Sequence, residues 1–266
     1  MPFPYVSVEE AVARDGLRMV VVGGVPSPWG EAAKGILHIK RIEWAAVRLV
    51  YDSDLLKQWA GERSGPVAVY AQEPPRSGWA DILELAERLA PTPSLLPADA
   101  ADRALVLELA GQLCGVSGLG WSRRLQLVHA GLQQQQQPQQ PEQNAGGFPP
   151  RVAAYLGKKY GYSPEVGAAC GDRVVEMLGA LAARLKAQHD AGSRYLVGNT
   201  LTAADVYCAT VMALFAPLPE AQCRMDPVTR AAFETRDART AAALDAVLLA
   251  HRDFMYATHM ELPLAL

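Results

Sequence analysis

What this sequence has little of narrows its chemistry first. Among 266 residues there are 4 cysteines, and Cys114, Cys170, Cys208 and Cys223 form no Cys-x-x-Cys pair. That spacing offers no zinc site of the usual kind and points to thiols used as small apolar residues in a reduced, cytoplasmic protein. A basic surplus is missing too: 25 Lys plus Arg against 28 Asp plus Glu give a net charge of −3, which argues against a nucleic-acid partner. No run approaches the roughly 20 apolar residues that cross a bilayer, so no membrane partner is expected. The first ten residues have neither the basic flank nor the apolar core of a secretory signal. Gly-rich phosphate loops, Gly-x-Ser-x-Gly and His-Glu-x-x-His are absent. His38, His129, His189, His251 and His259 include no i, i+4 pair, so imidazoles at the surface or half-buried are expected and no metal.

What is present is ordinary in composition and uneven in pattern. Half of the residues are hydrophobic, enough to build cores, and the length fits one large domain or two modest ones. Residues 17–24 form a β-branched run ended by two glycines, which predicts a buried strand. Ala32, Ala33, Ile36 and Leu37 recur at helical spacing within 31–39. A second strand is expected over 44–51, a short helix or loop over 52–63, a third strand over 66–71, a turn or hairpin over 72–78, and a helix over 79–89. This is a small α/β layer, taken as a domain over 1–90.

Residues 91–97 read as a linker, with Pro91, Pro93 and Pro97 close together. From 98 to 266 no convincing strand is found, and the second domain is expected to be all-helical. Its helices run over 98–133 with an interruption at 115–120, over 151–189 with a break near Tyr162-Ser-Pro164, over 201–215, and along an amphipathic stretch over 226–260. The Gln-rich tract at 133–147 reads as a low-complexity surface insertion.

Few residues invite chemistry. Ser27-Pro28 lies between the first strand and helix, where the Ser oxygen suits an N-cap and Pro suits the first helical position. The same geometry places a hydroxyl among free N–H groups, where it can hydrogen-bond a bound thiolate. Gly65-Pro66 opens the third strand, and the residues alone leave the isomer of that bond open. Thr202 and Asp205 have the spacing of a capping box, which makes Asp205 structural. Trp121, in the helical part, reads as a core aromatic or as a pocket lining.

Three of these segments, in order, resemble the cytosolic glutathione transferase superfamily. Ser27-Pro28-Trp29 resembles the Ser-Pro-Phe that opens the first helix of serine-type classes. Gly65-Pro66-Val67 resembles the Val-Pro-Val that carries a cis-proline. Tyr195-Leu-Val-Gly-Asn-Thr-Leu-Thr-Ala-Ala-Asp205 is similar to Phe-Leu-x-Gly-Asp-x-(Leu/Phe)-(Ser/Thr)-x-Ala-Asp, the most specific of the three.

The resemblance implies a thioredoxin-like domain followed by an all-helical one, with coverage from about residue 17 to at least 250. It implies glutathione as co-substrate and no metal. Ser27 would hold the thiolate, the Gly65 backbone would pair with the cysteinyl part, and Pro66 would shape that strand. The partner would be a small hydrophobic electrophile in an interdomain cleft, and pairing into homodimers is common in the family. With no cysteine before Cys114, thiol–disulfide exchange at the first helix is not expected. One departure concerns the Glu-Ser pair that holds the γ-glutamyl group in the family. Gly78 and Trp79 stand there, removing two polar contacts and adding an indole, unless a shifted turn brings Ser77 in. That departure supports the alternative of a non-catalytic binding or scaffold protein on the same fold; isomerisation, peroxide reduction and ether cleavage are further glutathione-linked chemistries.

Overall fold

The computed structural model describes residues 4–136 and 147–266. Its first part is built on five strands, β1 (Tyr5–Val6), β2 (Leu17–Val21), β3 (Trp44–Arg48), β4 (Val67–Tyr70) and β5 (Arg76–Ser77), in the order β1-β3-β2-β4-β5. β3 is parallel to β1 and β2, while β4 is antiparallel to β2 and β5. Helices α1 (Val8–Ala13), α2 (Pro28–Ile39), α3 (Asp54–Ala60) and α4 (Trp79–Leu89) interleave with them.

Side-chain alternation along β2 sets the layers. Leu17, Met19 and Val21 face a core shared with α2 and α4, whereas Val20 joins Val8, Ala11, Leu56 and Ala60 of α1 and α3. A strand covered on both faces reads as a continuous apolar run, which is why its sequence shows no alternation. The one charge in it, Arg18, is accommodated by carbonyls: its guanidinium donates to Gly16 O (2.7 Å) and Ala71 O (3.1 Å).

The elements expected from sequence are present, with three corrections in this half. The second strand ends at Arg48 rather than 51, and β1 and α1 precede the first expected strand. Both are too short to show a period, yet α1 carries a start signal: Ser7 Oγ accepts from the Glu10 N–H at 3.1 Å.

After the linker come α5 (Ala100–Cys114), α6 (Leu119–Gln136), α7 (Pro150–Tyr160), α8 (Pro164–Asp190), α9 (Ala203–Met212), α10 (Pro227–Glu234), α11 (Ala238–Ala243) and α12 (Ala246–His259). The fold is a thioredoxin-like layer followed by a helical assembly. Most of the Gln-rich tract, 137–146, lies outside the described residues; α6 enters it as far as Gln136. The expected amphipathic stretch over 226–260 is three helices, each opened by an aspartate. Asp226 caps through the Thr229 N–H, Asp237 through Thr240 and Asp245 through Val247.

Taken as one segment, Ala100–Gln133 is long and apolar enough to cross a membrane, which corrects the sequence expectation. Here it is broken between α5 and α6, where an added Cβ on Gly115 would sit 2.5 Å from Gly111 O. Val106, Leu109, Ala110, Leu113, Leu125, Leu127 and Val128 are buried within the protein, so the two helices serve the core.

The linker is pinned rather than free. Leu95 and Leu96 are buried, Leu95 O accepts from the Ala203 N–H at 2.8 Å, and buried Lys40 donates to Ala90 O and Pro93 O while pairing with Glu87 at 2.8 Å.

Every residue of α9 is buried, and its amino end is held by Asp205. Oδ1 accepts from the Leu196 N–H (2.7 Å), and Oδ2 accepts from the Thr202 N–H (2.9 Å) and Oγ1 (2.8 Å). Burial pushes the carboxyl up to about 6 against these donors, which favour the ionised form. His251 of α12 is buried 3.4 Å from Oδ1, not at the surface or half-buried as expected, and burial drives it down to about 4. Replacing Asp205 by Ala strands three donors in the core. The expected cost is about 3 kcal/mol or more, read as a lower urea midpoint with the m-value unchanged.

Candidate active site

The site grows from the amino end of α2. Ser27 occupies the N-cap position with extended φ −70° and ψ 119°, and Pro28 follows at the first helical position. Contrary to the capping expectation, the Ser27 side chain makes no cap hydrogen bond. The helix is held instead through the backbone, Glu31 N–H donating to Ser27 O at 2.7 Å. Ser27 is buried, and its Oγ has no hydrogen-bond partner among the described residues. The result is an unused hydroxyl beside first-turn N–H groups that no side chain caps, a place suited to a negative charge.

Gly65 and Pro66 enter β4 through a cis bond. A Cβ on Gly65 would meet Val20 O at 3.3 Å and Val21 Cα at 3.5 Å, so this residue lies against the backbone of the strand that leads to Ser27. That close approach gives a packing reason for glycine where valine is usual.

Trp29 crosses to the helical half. Its Nε1 donates to Cys114 O at 2.7 Å, at the end of α5. The ring rests by Gly120, where an added Cβ would lie 3.4 Å from Cζ2. On its other side Tyr160 of α7 stands 6.2 Å away, centroid to centroid, and Trp121 packs edge-on against Tyr160 at 4.6 Å. Trp121 is half-buried in this aromatic group. The Arg124 guanidinium lies over both Trp29 (5.4 Å) and Tyr160 (5.9 Å).

Two further contacts join the halves at the rim. Tyr51 meets Tyr155 edge-on at 5.5 Å, and Lys159 Nζ donates to Ser64 Oγ at 2.9 Å, next to Gly65. Burial, and then the charge of Arg124, hold the Lys159 ammonium below its ordinary range, opposed by Glu62. Sequence reasoning missed Tyr51, Arg124, Tyr155, Lys159 and Tyr160, which carry no local motif and meet only through the tertiary fold.

At the position of the missing Glu-Ser pair, Gly78 has φ +94° and Trp79 opens α4. The indole is turned to the helical half. It packs edge-on against Tyr207 at 5.8 Å and lies near Gly111 of α5, and Tyr207 Oη donates to Trp79 O at 2.9 Å. Trp79 is thus an interdomain packing residue. Ser77 is exposed on β5.

A large open concavity of about 1210 Å³ runs along the 31–42 side of α2 against Met260–Ala265, and its lining includes neither Ser27, Gly65 nor Pro66. Beside it Glu31 is buried against Lys34 at 2.6 Å, and Lys34 also donates to Ala265 O at 2.7 Å. Burial raises the Glu31 carboxyl. This group ties the carboxy-terminal segment to α2.

No protein-family model matches the sequence, and neither does any curated protein sequence. Solved structures do match. A glutathione S-transferase from Methylobacterium radiotolerans, solved with glutathione sulfonate, is 18% identical with 91% of each chain covered and a TM-score of 0.58. A glutathione S-transferase domain-containing protein from Marinobacter aquaeolei is 16% identical, covering 91% of this chain and 98% of that one, at a TM-score of 0.60. The chain has the glutathione transferase fold. Rice GST1, in complex with glutathione, is 20% identical with 94% of each chain covered, at a TM-score of 0.55. On this fold Trp29 stands at the residue after Ser-Pro and acts as the bolt between the two halves. Changing Trp29 to Phe keeps the ring and deletes the bond to Cys114 O, at an expected cost of about 1 kcal/mol in urea unfolding. Trp29→Ala, which empties the seat by Gly120, is expected to cost about 3–5 kcal/mol.

Proposed function

We propose that this chain binds glutathione at the amino end of α2 and presents its thiolate to a small hydrophobic electrophile, as a transferase of serine type. The observation that carries the reading is the Ser27 hydroxyl, buried at an N-cap position yet engaged in no cap bond. Ser27 Oγ–H donates to the thiolate, uncapped N–H groups of α2 favour its charge, Gly65 offers backbone groups to the cysteinyl part, and Pro66 shapes that edge. The thiol gives its proton to solvent, sulfur attacks the electrophilic carbon, and the leaving group departs with its electron pair. The complexes of fold neighbours with glutathione and glutathione sulfonate support the choice of ligand. The four buried free thiols support a reducing, cytoplasmic setting. A homodimer belongs to the same proposal.

The second reading, a scaffold without turnover, draws on Gly78 and Trp79. With the indole turned to Tyr207 and Gly78 without a side chain, these two positions offer no polar side chain beside α4.

Calorimetry with glutathione and the tighter probe S-hexylglutathione separates the two. Saturable binding that weakens in Ser27→Ala supports the enzyme; silence at millimolar ligand leaves the scaffold. A hydroxyl that donates to the thiolate lowers the thiol pKa, so Ser27→Ala raises it. Conjugation should then fall by about tenfold to a hundredfold near pH 6.5, with the deficit shrinking as pH rises toward 9. An unchanged pH profile would remove Ser27 from the chemistry.

A further inference from the structure

Two neighbouring arginines on α6 are treated oppositely by the fold. Arg123 is saturated: it donates to Leu214 O (3.1 Å), Gln126 Oε1 (2.7 Å), Phe233 O (3.1 Å) and Thr235 O (2.7 Å). Arg124 is only 9% exposed, yet it has no hydrogen-bond or carboxylate partner among the described residues, and its Nε is buried with no partner at all. Its guanidinium is held over Trp29 and Tyr160. Ring faces supply cation–π attraction but accept none of the in-plane N–H bonds that a guanidinium offers. A buried arginine is rarely left so unless something else pairs with it.

The surroundings say what that is. The charge of Arg124 acts on Lys159, whose ammonium reaches Ser64 beside Gly65, and among the described residues the acidic group acting on Lys159 is Glu62. Trp29, Trp121 and Tyr160 form an apolar wall beneath. Trp29 belongs to the first turn of α2, the helix that Ser27 opens, so the free charge lies at the same end of that helix as the proposed thiolate site.

We infer that the second substrate carries a carboxylate, which pairs with Arg124 while its aromatic or apolar body rests on Trp29, Trp121 and Tyr160. This rests on the reading of the cleft as a transferase site and narrows its electrophile from merely hydrophobic to anionic. In the reaction the glutathione thiolate attacks a ring carbon of the acid, a C–S bond forms, the C–Cl bond of a suitable probe breaks, chloride leaves, and the thiol proton passes to buffer. The carboxylate stays intact.

The test uses the full chain and a matched pair, 4-chloro-3-nitrobenzoate and its methyl ester. By calorimetry without glutathione, the acid should bind at least about tenfold more tightly than the ester. Arg124→Met, which keeps length and apolar stem, should bring the two within about twofold of each other, and Arg124→Lys should restore part of the gap. Equal binding of acid and ester to the native chain overturns the inference, whatever the variants do. So does a loss in Arg124→Met that falls equally on both probes. If instead Arg124→Met weakens S-methylglutathione and spares the acid preference, Arg124 serves glutathione's own carboxylate and the inference is again overturned. Acid-selective binding without conjugation would sink the transferase reading while leaving the anion site in place.

Discussion

The packing of α2 is the constraint from which the rest follows. This helix is enclosed: Ala32, Ala33, Ile36 and Leu37 lie in the core with β2 and α4, and its other side meets α9. Such a sandwich requires small residues where two helices approach. At Gly35 an added Cβ would lie 3.4 Å from Val206 Cγ1 of α9 and 2.7 Å from Met260 Cε. Because α9 is itself buried throughout and capped by Asp205, the carboxylate nine residues from Leu196 N fixes, at one remove, where α2 lies. The amino end of α2, with Ser27, is therefore positioned by both halves of the protein at once, and Trp29 adds a direct bond across them. A site placed this way has little freedom to adjust by moving one layer against the other.

That rigidity gives meaning to the substitution at Gly78 and Trp79. In sequence the change looks like an indole thrust into a binding site. In the fold the first turn of α4 faces two ways, and Trp79 is directed toward Tyr207 and α5, where it adds to the interface that α2 and α9 already define. Trp79 thus serves the packing between the two halves.

Much of the architecture was legible because it rests on local rules. The β2 run, the helical spacing after Pro28, the α4 bounds and the Thr202–Asp205 box are all set by neighbours in sequence, and the glycines at 115 and 118 mark a break that sterics enforce. What escaped notice was either short or misread as continuous. β1 and α1 are too brief for periodicity, and the stretch from 226 reads as one amphipathic stretch although Asp226, Asp237 and Asp245 each announce a new start. The burial of His251 comes from the packing of α12 against α9, which no local spacing shows.

The cleft was less legible, and the two arginines show why. Arg123 and Arg124 are adjacent, identical in type and both removed from water, so neither composition nor spacing can tell them apart. They differ in whether carbonyls from distant segments arrive to accept their hydrogen bonds. For Arg123 the ends of α9 and α10 supply them, and the charge is absorbed into structure. For Arg124 the arriving groups are the faces of Trp29 and Tyr160, which hold the cation in place without satisfying it. Net charge near zero hides this, since the relevant quantity is local: a cation fixed on an aromatic floor at the end of α2 that Ser27 opens. Function on this fold is written in hydrogen-bonding capacity left over after folding, and such a remainder is visible only once the partners of every neighbour have been assigned.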